Sequence, residues 1–239
     1  MRLVRDGAFR VAAVPRRLRP TAEIHSDAIL VGDPGRAMAL AQVLTEQPKM
    51  ANHARGLWGY SGKTAAGRGL TVQATGMGGP SAALVLGDLA ELGVRRAVRV
   101  GTCAAIDPKF RPGDLVWVRA ARPWSAERPG AGSPARPDAE LAESLRVALG
   151  EDAKAGRVAS VDFLHPSPDP AHPTPKGDVA DMQTAALFAA GERLRVALAA
   201  VLVVTDAEGA EPLGDEDLAA RAATAARAGT AALHRGKRE

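Results

Sequence analysis

The stretch TGMGGPSAALVLGDLAELGVRRAVRVGTCAAI (residues 75–106) decides the fold class. Its first half predicts a glycine turn that opens a helix, since Pro80 suits the first helical turn and Gly93 suits the position after the last one. Residues 97–106 interleave β-branched residues with small ones, which predicts a buried strand ending in glycine and threonine. A glycine turn, a helix and a buried strand in succession are typical of α/β proteins with a mainly parallel sheet covered on both faces.

The same alternation continues on both sides of this stretch. Proline-rich loops interrupt it at residues 122–137 and 165–177. We expect one domain over residues 21–239, preceded by a basic arm over residues 1–20. Residues 27–46 are predicted to form a short strand followed by a helix. Further strands are predicted as a hairpin over 56–63 and 69–76, and at 113–121, 156–164 and 196–206. Further helices are predicted at 138–150, 181–194 and 214–234.

The net charge of +4 is concentrated in the arm, which holds six arginines and one acid. The remainder of the chain is close to neutral, so a basic face for nucleic acid is not expected. The arm is interpreted as a solvated terminus, with an anionic partner as the alternative. No run reaches the ~18 apolar residues of a membrane span. The single cysteine, Cys103, excludes an intramolecular disulfide framework and a cysteine-based zinc cage, and favours a reducing cytoplasm.

Arg99 places a permanent cation inside the predicted buried strand. A buried guanidinium is costly unless it is paired. Two alternatives follow from the residues alone: a carboxylate inside the fold pairs with Arg99, or an anionic ligand does.

Three strand ends are rich in glycine: residues 32–36, 76–81 and 99–102. Glycine lets backbone N–H groups approach an anion, and a following helix adds a favourable dipole. Together with Arg36, Arg99 and the Thr102 hydroxyl, these turns predict a site for a phosphate-sized anion. The motifs of dinucleotide and P-loop nucleotide sites are absent from the sequence. Asp206 closes a continuous apolar run, either as a turn cap or as a partly desolvated general acid.

Five motifs occur in the order found in the purine nucleoside and uridine phosphorylase family, which this chain resembles: GDPGR, RGLWGYSGK, the stretch at residues 75–106, ADMQTAALFA and VVTD. The resemblance implies a three-layer α/β/α sandwich around a twisted, mixed, partly barrel-like sheet. It implies a homo-oligomer, either a dimer or a hexamer built as a trimer of dimers. The implied reaction is phosphorolysis of a nucleoside, purine favoured, to free base and pentose 1-phosphate, with inorganic phosphate as co-substrate and no metal or organic cofactor.

The resemblance also implies roles for particular residues. Phosphate would be held by Gly32, Arg36, Arg99 and Thr102, with Arg55 contributed across the subunit interface. Met182 and Gln183 would contact the nucleoside, and either Leu164 or Phe163 would lie against the base. Asp206 would protonate or hydrogen-bond the departing purine.

The chain departs from the family at Gln183, where the family has a glutamate that accepts hydrogen bonds from the pentose. An amide accepts at one atom and donates at the other. Two alternatives to phosphorolysis stay open: a hydrolytic nucleosidase of the same fold, acting on thio- or homocysteinyl-adenosines, and a nucleoside-binding member with reduced or lost turnover. Arg36, Arg55 and Arg99 favour phosphorolysis, whereas Gln183 and Leu164 favour loss of turnover. In that case Gln183→Glu is expected to raise activity.

Overall fold

The computed structural model describes residues 17–125, 133–162 and 175–235. In these ranges one to three strands separate successive α-helices, so the chain is an α/β protein as the sequence predicts, without strict alternation. The strands are β1 (Asp27–Val31), β2 (Glu46–Asn52), β3 (Gly59–Lys63), β4 (Gly69–Ala74), β5 (Arg96–Ala105), β6 (Leu115–Trp124), β7 (Ala153–Val161), β8 (Val179–Asp181) and β9 (Ala197–Asp206). The α-helices are α1 (Pro34–Leu44), α2 (Gly78–Glu91), α3 (Ala139–Leu149), α4 (Thr184–Leu194) and α5 (Asp215–Arg235).

The strands of the described residues form one sheet in the order β2-β3-β4-β1-β5-β8-β7-β6-β9, and β9 pairs again with β5. This second pairing closes β5, β8, β7, β6 and β9 into a barrel-like ring, from which the other four strands extend as an open wing. β4, β1, β5 and β9 are parallel neighbours, whereas β6, β7 and β8 run in the opposite direction. The sheet is therefore mixed, as the family resemblance implies, rather than mainly parallel.

Two apolar clusters cover the two faces of the sheet and make the fold three-layered. One cluster contains Leu86 of α2 and Phe188 of α4, and the other contains helices α1, α3 and α5. Adjacent residues of β5 contribute to opposite clusters, with Ala97 in the first and Val98 in the second. Because side chains alternate along a strand, Arg99 faces the α2–α4 layer. None of the helices in the described ranges is long and apolar enough to cross a membrane.

The first described residues are docked against the domain. Leu18 is buried, and the Asp88 carboxylate in α2 accepts hydrogen bonds from the backbone N–H groups of Arg17 and Leu18. Asn52 Oδ1 accepts a third, from the N–H of Arg19, at 2.8 Å. The sequence assigns these residues to the arm, whereas the structure makes them part of the domain, because a buried leucine and a buried aspartate hold them. The rest of the predicted arm lies outside the described residues.

Candidate active site

Two glycine turns lie side by side at the carboxyl edge of the parallel strands. The Thr75 N–H donates to Val31 O at 2.7 Å, which ties the end of β4 to the end of β1. A Cβ added to Gly32 would lie 3.5 Å from Gly76 O. The sequence predicts anion-binding turns at these two places, and the fold makes them neighbours.

Helix α2 begins at this edge with its first N–H groups uncapped by any side chain. Gly76 and Gly78 both have positive φ, at 72° and 77°. The Ser81 hydroxyl donates to Thr75 O at 2.6 Å, and a Cβ on Gly76 would lie 2.8 Å from that hydroxyl oxygen. The turn therefore requires glycine. It leaves the positive end of the α2 dipole open to an anion.

Arg99 is 4% exposed and is paired within the chain. Its Nη2 donates to Asp181 Oδ2 at 3.0 Å, its Nη1 to Gln183 Oε1 at 2.5 Å and its Nε to Thr184 Oγ1 at 3.1 Å. A Cβ on Gly101 would lie 2.7 Å from Nη2, so that glycine makes room for the guanidinium. Of the two alternatives left by the sequence, an internal carboxylate is the one that explains the burial. Two of the five guanidinium N–H groups remain, so phosphate contact by Arg99 stays a prediction.

Asp181 is the centre of this network and was not singled out by the sequence analysis. It is 0% exposed, and it accepts from Arg99, from the Ser160 hydroxyl at 2.6 Å and from both the hydroxyl and the N–H of Thr184. The sequence predicts that a helix begins at this residue. Instead Asp181 ends β8, and α4 begins at Thr184. An aspartate two residues before Gln183 was the available signal.

Gln183 is 3% exposed and is engaged at both ends of its amide. Its Oε1 accepts from Arg99 and from the Thr75 hydroxyl at 3.0 Å. Its Nε2 donates to Gly76 O at 2.7 Å and lies 3.4 Å from Gly78 O. The side chain therefore links β5, α4 and the glycine turn at the start of α2.

Arg36 is the half-buried cation beside this network. Its backbone N–H is bound by Asp33, which caps α1, but its guanidinium has no hydrogen-bond partner within the described ranges. Burial lowers the pKa of Arg36 from its ordinary value; Asp33 raises this pKa, and the neighbouring Arg99 cation lowers it. Two cations thus face the same region, and one of them lacks an acceptor. Such a region favours an anionic ligand.

Asp206 lies two strands further along the same edge. It ends β9 opposite Ala104 of β5 and accepts from the Thr205 hydroxyl at 2.6 Å. The carboxylate is exposed, so the partial desolvation expected of a general acid is not present in the single chain. Burial raises the pKa of the Cys103 thiol well above its ordinary value, and Asp181 and Asp206 both raise it further. The buried thiol of Cys103 therefore lies close enough to both carboxylates for each of them to raise its pKa.

Comparisons with known proteins identify the family. A model described as the phosphorylase superfamily matches residues 26–235. The chain belongs to this superfamily. A purine nucleoside phosphorylase DeoD-type from Caldanaerobacter subterraneus subsp. tengcongensis is 31% identical over 195 residues, which cover 77% of this chain and 84% of that protein. Another from Geobacillus kaustophilus is 33% identical over 196 residues, which cover 78% and 83%.

The fold is also that of a solved purine nucleoside phosphorylase from Toxoplasma gondii in complex with immucillin-H. The two chains match with a TM-score of 0.76 at 20% identity, over 89% of this chain and 92% of that one. This likeness confirms the predicted three-layer fold with its partly barrel-like sheet.

Other residues that the superfamily resemblance singles out lie around this edge. Thr102 is half-buried on β5, and its hydroxyl has no partner within the described ranges. Met182 is half-buried next to Gln183. Phe163 and Leu164 lie outside the described residues, so the prediction that one of them faces the base stays a prediction.

Arg55 is exposed on the 3-10 turn Ala54–Gly56. Its φ of 59° lies in the left-handed region, which few residues other than glycine adopt. The buried amides of Asn52 and Gln73 both donate to Leu57 O and hold this turn. The single chain does not pair Arg55 with the Arg36–Arg99 region, and its predicted role across a subunit interface stays a prediction.

Proposed function

We propose that this protein cleaves the N-glycosidic bond of a purine nucleoside with inorganic phosphate, giving a free base and pentose 1-phosphate. The observation that carries the proposal is the guanidinium of Arg36, which has no hydrogen-bond partner among the described residues and lies beside Arg99, at an edge where no side chain caps the first N–H groups of α2. Superfamily membership and the relatives named purine nucleoside phosphorylase supply the reaction class.

Phosphate would bind at the two glycine turns. Arg36 would supply a forked pair of donors, and the N–H groups at the start of α2 would supply a fixed positive potential. The remaining N–H groups of Arg99, the Thr102 hydroxyl and the backbone at Gly32 complete the proposed set. Leaving of the base creates positive charge on the pentose, so an anion held beside C1′ stabilises the transition state more than it stabilises the ground state.

The base would leave towards Asp206, with the pentose beside Met182. A carboxylic acid can donate a proton or a hydrogen bond to the purine ring as negative charge grows there. Because the carboxylate is exposed in the single chain, bound nucleoside itself would have to exclude water from it. Neither a metal nor an organic cofactor is required by this chemistry, and inorganic phosphate is the proposed co-substrate.

We further propose a homo-oligomer, a dimer or a hexamer, in which Arg55 approaches the phosphate site of a neighbouring copy. Its side chain is exposed, and hydrogen bonds from the Asn52 and Gln73 side-chain amides hold its turn; both features support this role. The buried, unpaired thiol of Cys103 suits a reducing compartment such as the cytoplasm.

A second candidate is a nucleoside-binding protein with reduced turnover. Gln183 favours it, because both ends of its amide are committed to contacts inside the chain and leave little capacity for pentose hydroxyls. Hydrolysis is less favoured, since water as the nucleophile needs no surplus cation at the position of Arg36.

The deciding experiment incubates the purified protein with inosine, guanosine, adenosine and uridine, each with and without phosphate, and follows free base. Release that requires phosphate supports the proposal and identifies the substrate. Release that does not require phosphate supports the hydrolytic alternative. Binding of a nucleoside without release supports the second candidate.

A further inference from the structure

We propose that a cationic cavity on the β6–β7 pair binds a small anion that carries a flat aromatic ring, the class to which nucleoside monophosphates belong. The cavity has a volume of about 470 Å³, which lies within the range of about 300–1,000 Å³ found for ligand sites in proteins. None of the residues that line it belongs to the candidate active site, so the inference does not depend on the proposed function.

Positive charge is concentrated in this cavity. The cationic side chains that line it are Arg122, Arg136, Arg157 and Lys176, and of the described residues that line it none is acidic. Outside residues 1–20 the chain is close to neutral, so the overall charge does not account for such a cluster. Like charges gathered in one cavity repel one another, and an anion bound among them relieves the repulsion.

Arg157 uses one edge of its guanidinium inside the protein and leaves the other edge available. Its Nε and Nη2 donate to the two carboxylate oxygens of Asp178, at 3.3 and 3.0 Å. Asp178 is 4% exposed, whereas the side chain of Arg157 is 67% exposed. The Nη1 of Arg157 has no acceptor among the described residues. Asp178 therefore fixes the arginine in place without occupying its outer nitrogen.

Arg136 and Lys176 lie on walls of the cavity that the backbone holds in place. Arg136 follows Ala135, whose N–H and carbonyl both pair with Ala121, at 2.8 and 2.9 Å. Lys176 precedes Gly177, which lies so close to β7 that an added Cβ would be 2.9 Å from a backbone nitrogen of that strand. Neither Arg136 nor Lys176 has an acidic partner among the described residues. Their positions are therefore set before a ligand binds, and their charges are available to it.

Trp124 supplies a surface for an aromatic ring. It ends β6 and is half-buried. Side chains alternate along a strand, and Ala120 lies opposite Arg157 in the register of the pair, so Ala120, Arg122, Trp124 and Arg157 share one face. An indole ring stacks on flat aromatic groups, and arginines bind phosphate with paired donors. The ligand is therefore a ring that lies against Trp124 and carries an anionic group towards the cations.

The test measures the binding of AMP and of ribose 5-phosphate to the full chain by titration calorimetry. The two probes carry the same phosphate, and only AMP carries a ring that can stack. We expect AMP to bind about tenfold more tightly than ribose 5-phosphate, as stacking on one aromatic side chain allows. Trp124→Leu should bring the two affinities together. Equal affinities in wild type would contradict the assignment of the ring to Trp124.

Variants of the two exposed cations test the charge. Arg136→Gln and Lys176→Gln each remove a donor that has no partner among the described residues, so both proteins should fold. Each substitution should raise the dissociation constant of AMP about tenfold, the value of one charge-assisted hydrogen bond. Lys63→Gln removes an exposed cation from the end of β3 and should leave AMP binding unchanged. Equal binding by wild type and all three variants would overturn the proposal.

Arg36→Gln separates this cavity from the candidate active site, because AMP contains both a nucleoside and a phosphate. We expect Arg36→Gln to retain the AMP binding that Arg136→Gln and Lys176→Gln weaken. Loss of AMP binding in Arg36→Gln alone would place AMP at the active site and overturn the proposal. A single-stranded oligonucleotide that binds far more tightly than AMP through Arg136 and Lys176 would overturn it too, since the ligand would then be a nucleic acid. Failure of the proposed function is read separately, from the absence of base release.

Discussion

Strand β5 carries two arginines, and each is paired with a buried aspartate. One pair lies at the amino end of the strand and the other lies further along it. At the amino end, Arg96 donates twice to Asp27, at 2.9 and 2.7 Å, and Asp27 is 5% exposed. Further along, Arg99 makes a single contact with Asp181 and uses its other nitrogens on neutral partners. The two pairs are three residues apart on one strand, yet they are built differently.

The difference lies in what happens to the second cation at each end. At the amino end, Arg68 approaches Asp27 at 3.6 Å and donates to His234 O, so its guanidinium is used within the chain. At the carboxyl end, Arg36 has a lowered pKa and no acceptor within the described ranges. The amino end is therefore complete as a structural pair, whereas the carboxyl end has cationic capacity left for a ligand.

The largest expected effect tests whether Arg99 is structural. Arg99→Met leaves Asp181 buried without its cation, and we expect a loss of about 3–5 kcal/mol in the free energy of unfolding, measured in urea. Arg96→Met should cost less, about 1–3 kcal/mol, because Arg68 remains near Asp27 and the site is more exposed. Equal losses at the two positions would contradict the distinction between the two ends.

The next effect concerns the acid at the far side of the carboxyl edge. Asp206→Asn keeps the shape of the side chain but removes its acidity, so we expect turnover to fall about 100-fold or more. Stability should change little, because the carboxylate is exposed. The readout is kcat from base release, with urea unfolding in parallel. Asp215→Asn, at the exposed start of α5, is the matched control, and similar losses in both variants would exclude a specific role for Asp206.

A smaller effect is expected from the surplus cation. Arg36→Gln removes charge-assisted donors to phosphate, and the KM for phosphate should rise about 10- to 100-fold while kcat for a saturated enzyme changes less. The free energy of unfolding should change little, since the guanidinium has no hydrogen-bond partner in the described ranges. Arg193→Gln removes an exposed cation from the last turn of α4 as a control. An unchanged KM for phosphate would show that the surplus charge serves another purpose.

Local sequence signals were sufficient for much of the fold. The helix between Pro80 and Gly93 and the strand containing Arg99 were predicted because their apolar spacing and glycine punctuation act over a few residues. Strand β2 was missed, since Glu46–Asn52 contains a proline and little alternation and becomes a strand by pairing with β3. Strand β8 was missed because three residues are too few to show a period.

The candidate site was predicted in part for the same reason. Arg36 and Asp206 follow from their positions at strand ends, which the sequence shows. The partner of Arg99 could not be predicted from the sequence, because Asp181 is 82 residues away and only the pairing of β5 with β8 brings the two together. The exposure of Asp206 could not be predicted either, since it depends on packing at the end of the sheet rather than on the residues beside Asp206.

The smallest expected effect lies at the amino end and uses pH. Burial, followed by the nearby Arg68 cation, lowers the pKa of His234 in the folded chain. The unfolded chain therefore binds a proton at His234 more readily than the folded chain does. The contribution of His234 to the free energy of unfolding is fully present above the unfolded pKa of about 6.5 and decreases as the pH falls below it. His234→Gln should reduce that decrease, as followed by urea unfolding at about pH 7.5 and about pH 5.5. His53→Gln, at an exposed position, should leave the decrease unchanged. If wild type and His234→Gln lose the same stability over this interval, neither burial nor the Arg68 cation couples the protonation of His234 to folding.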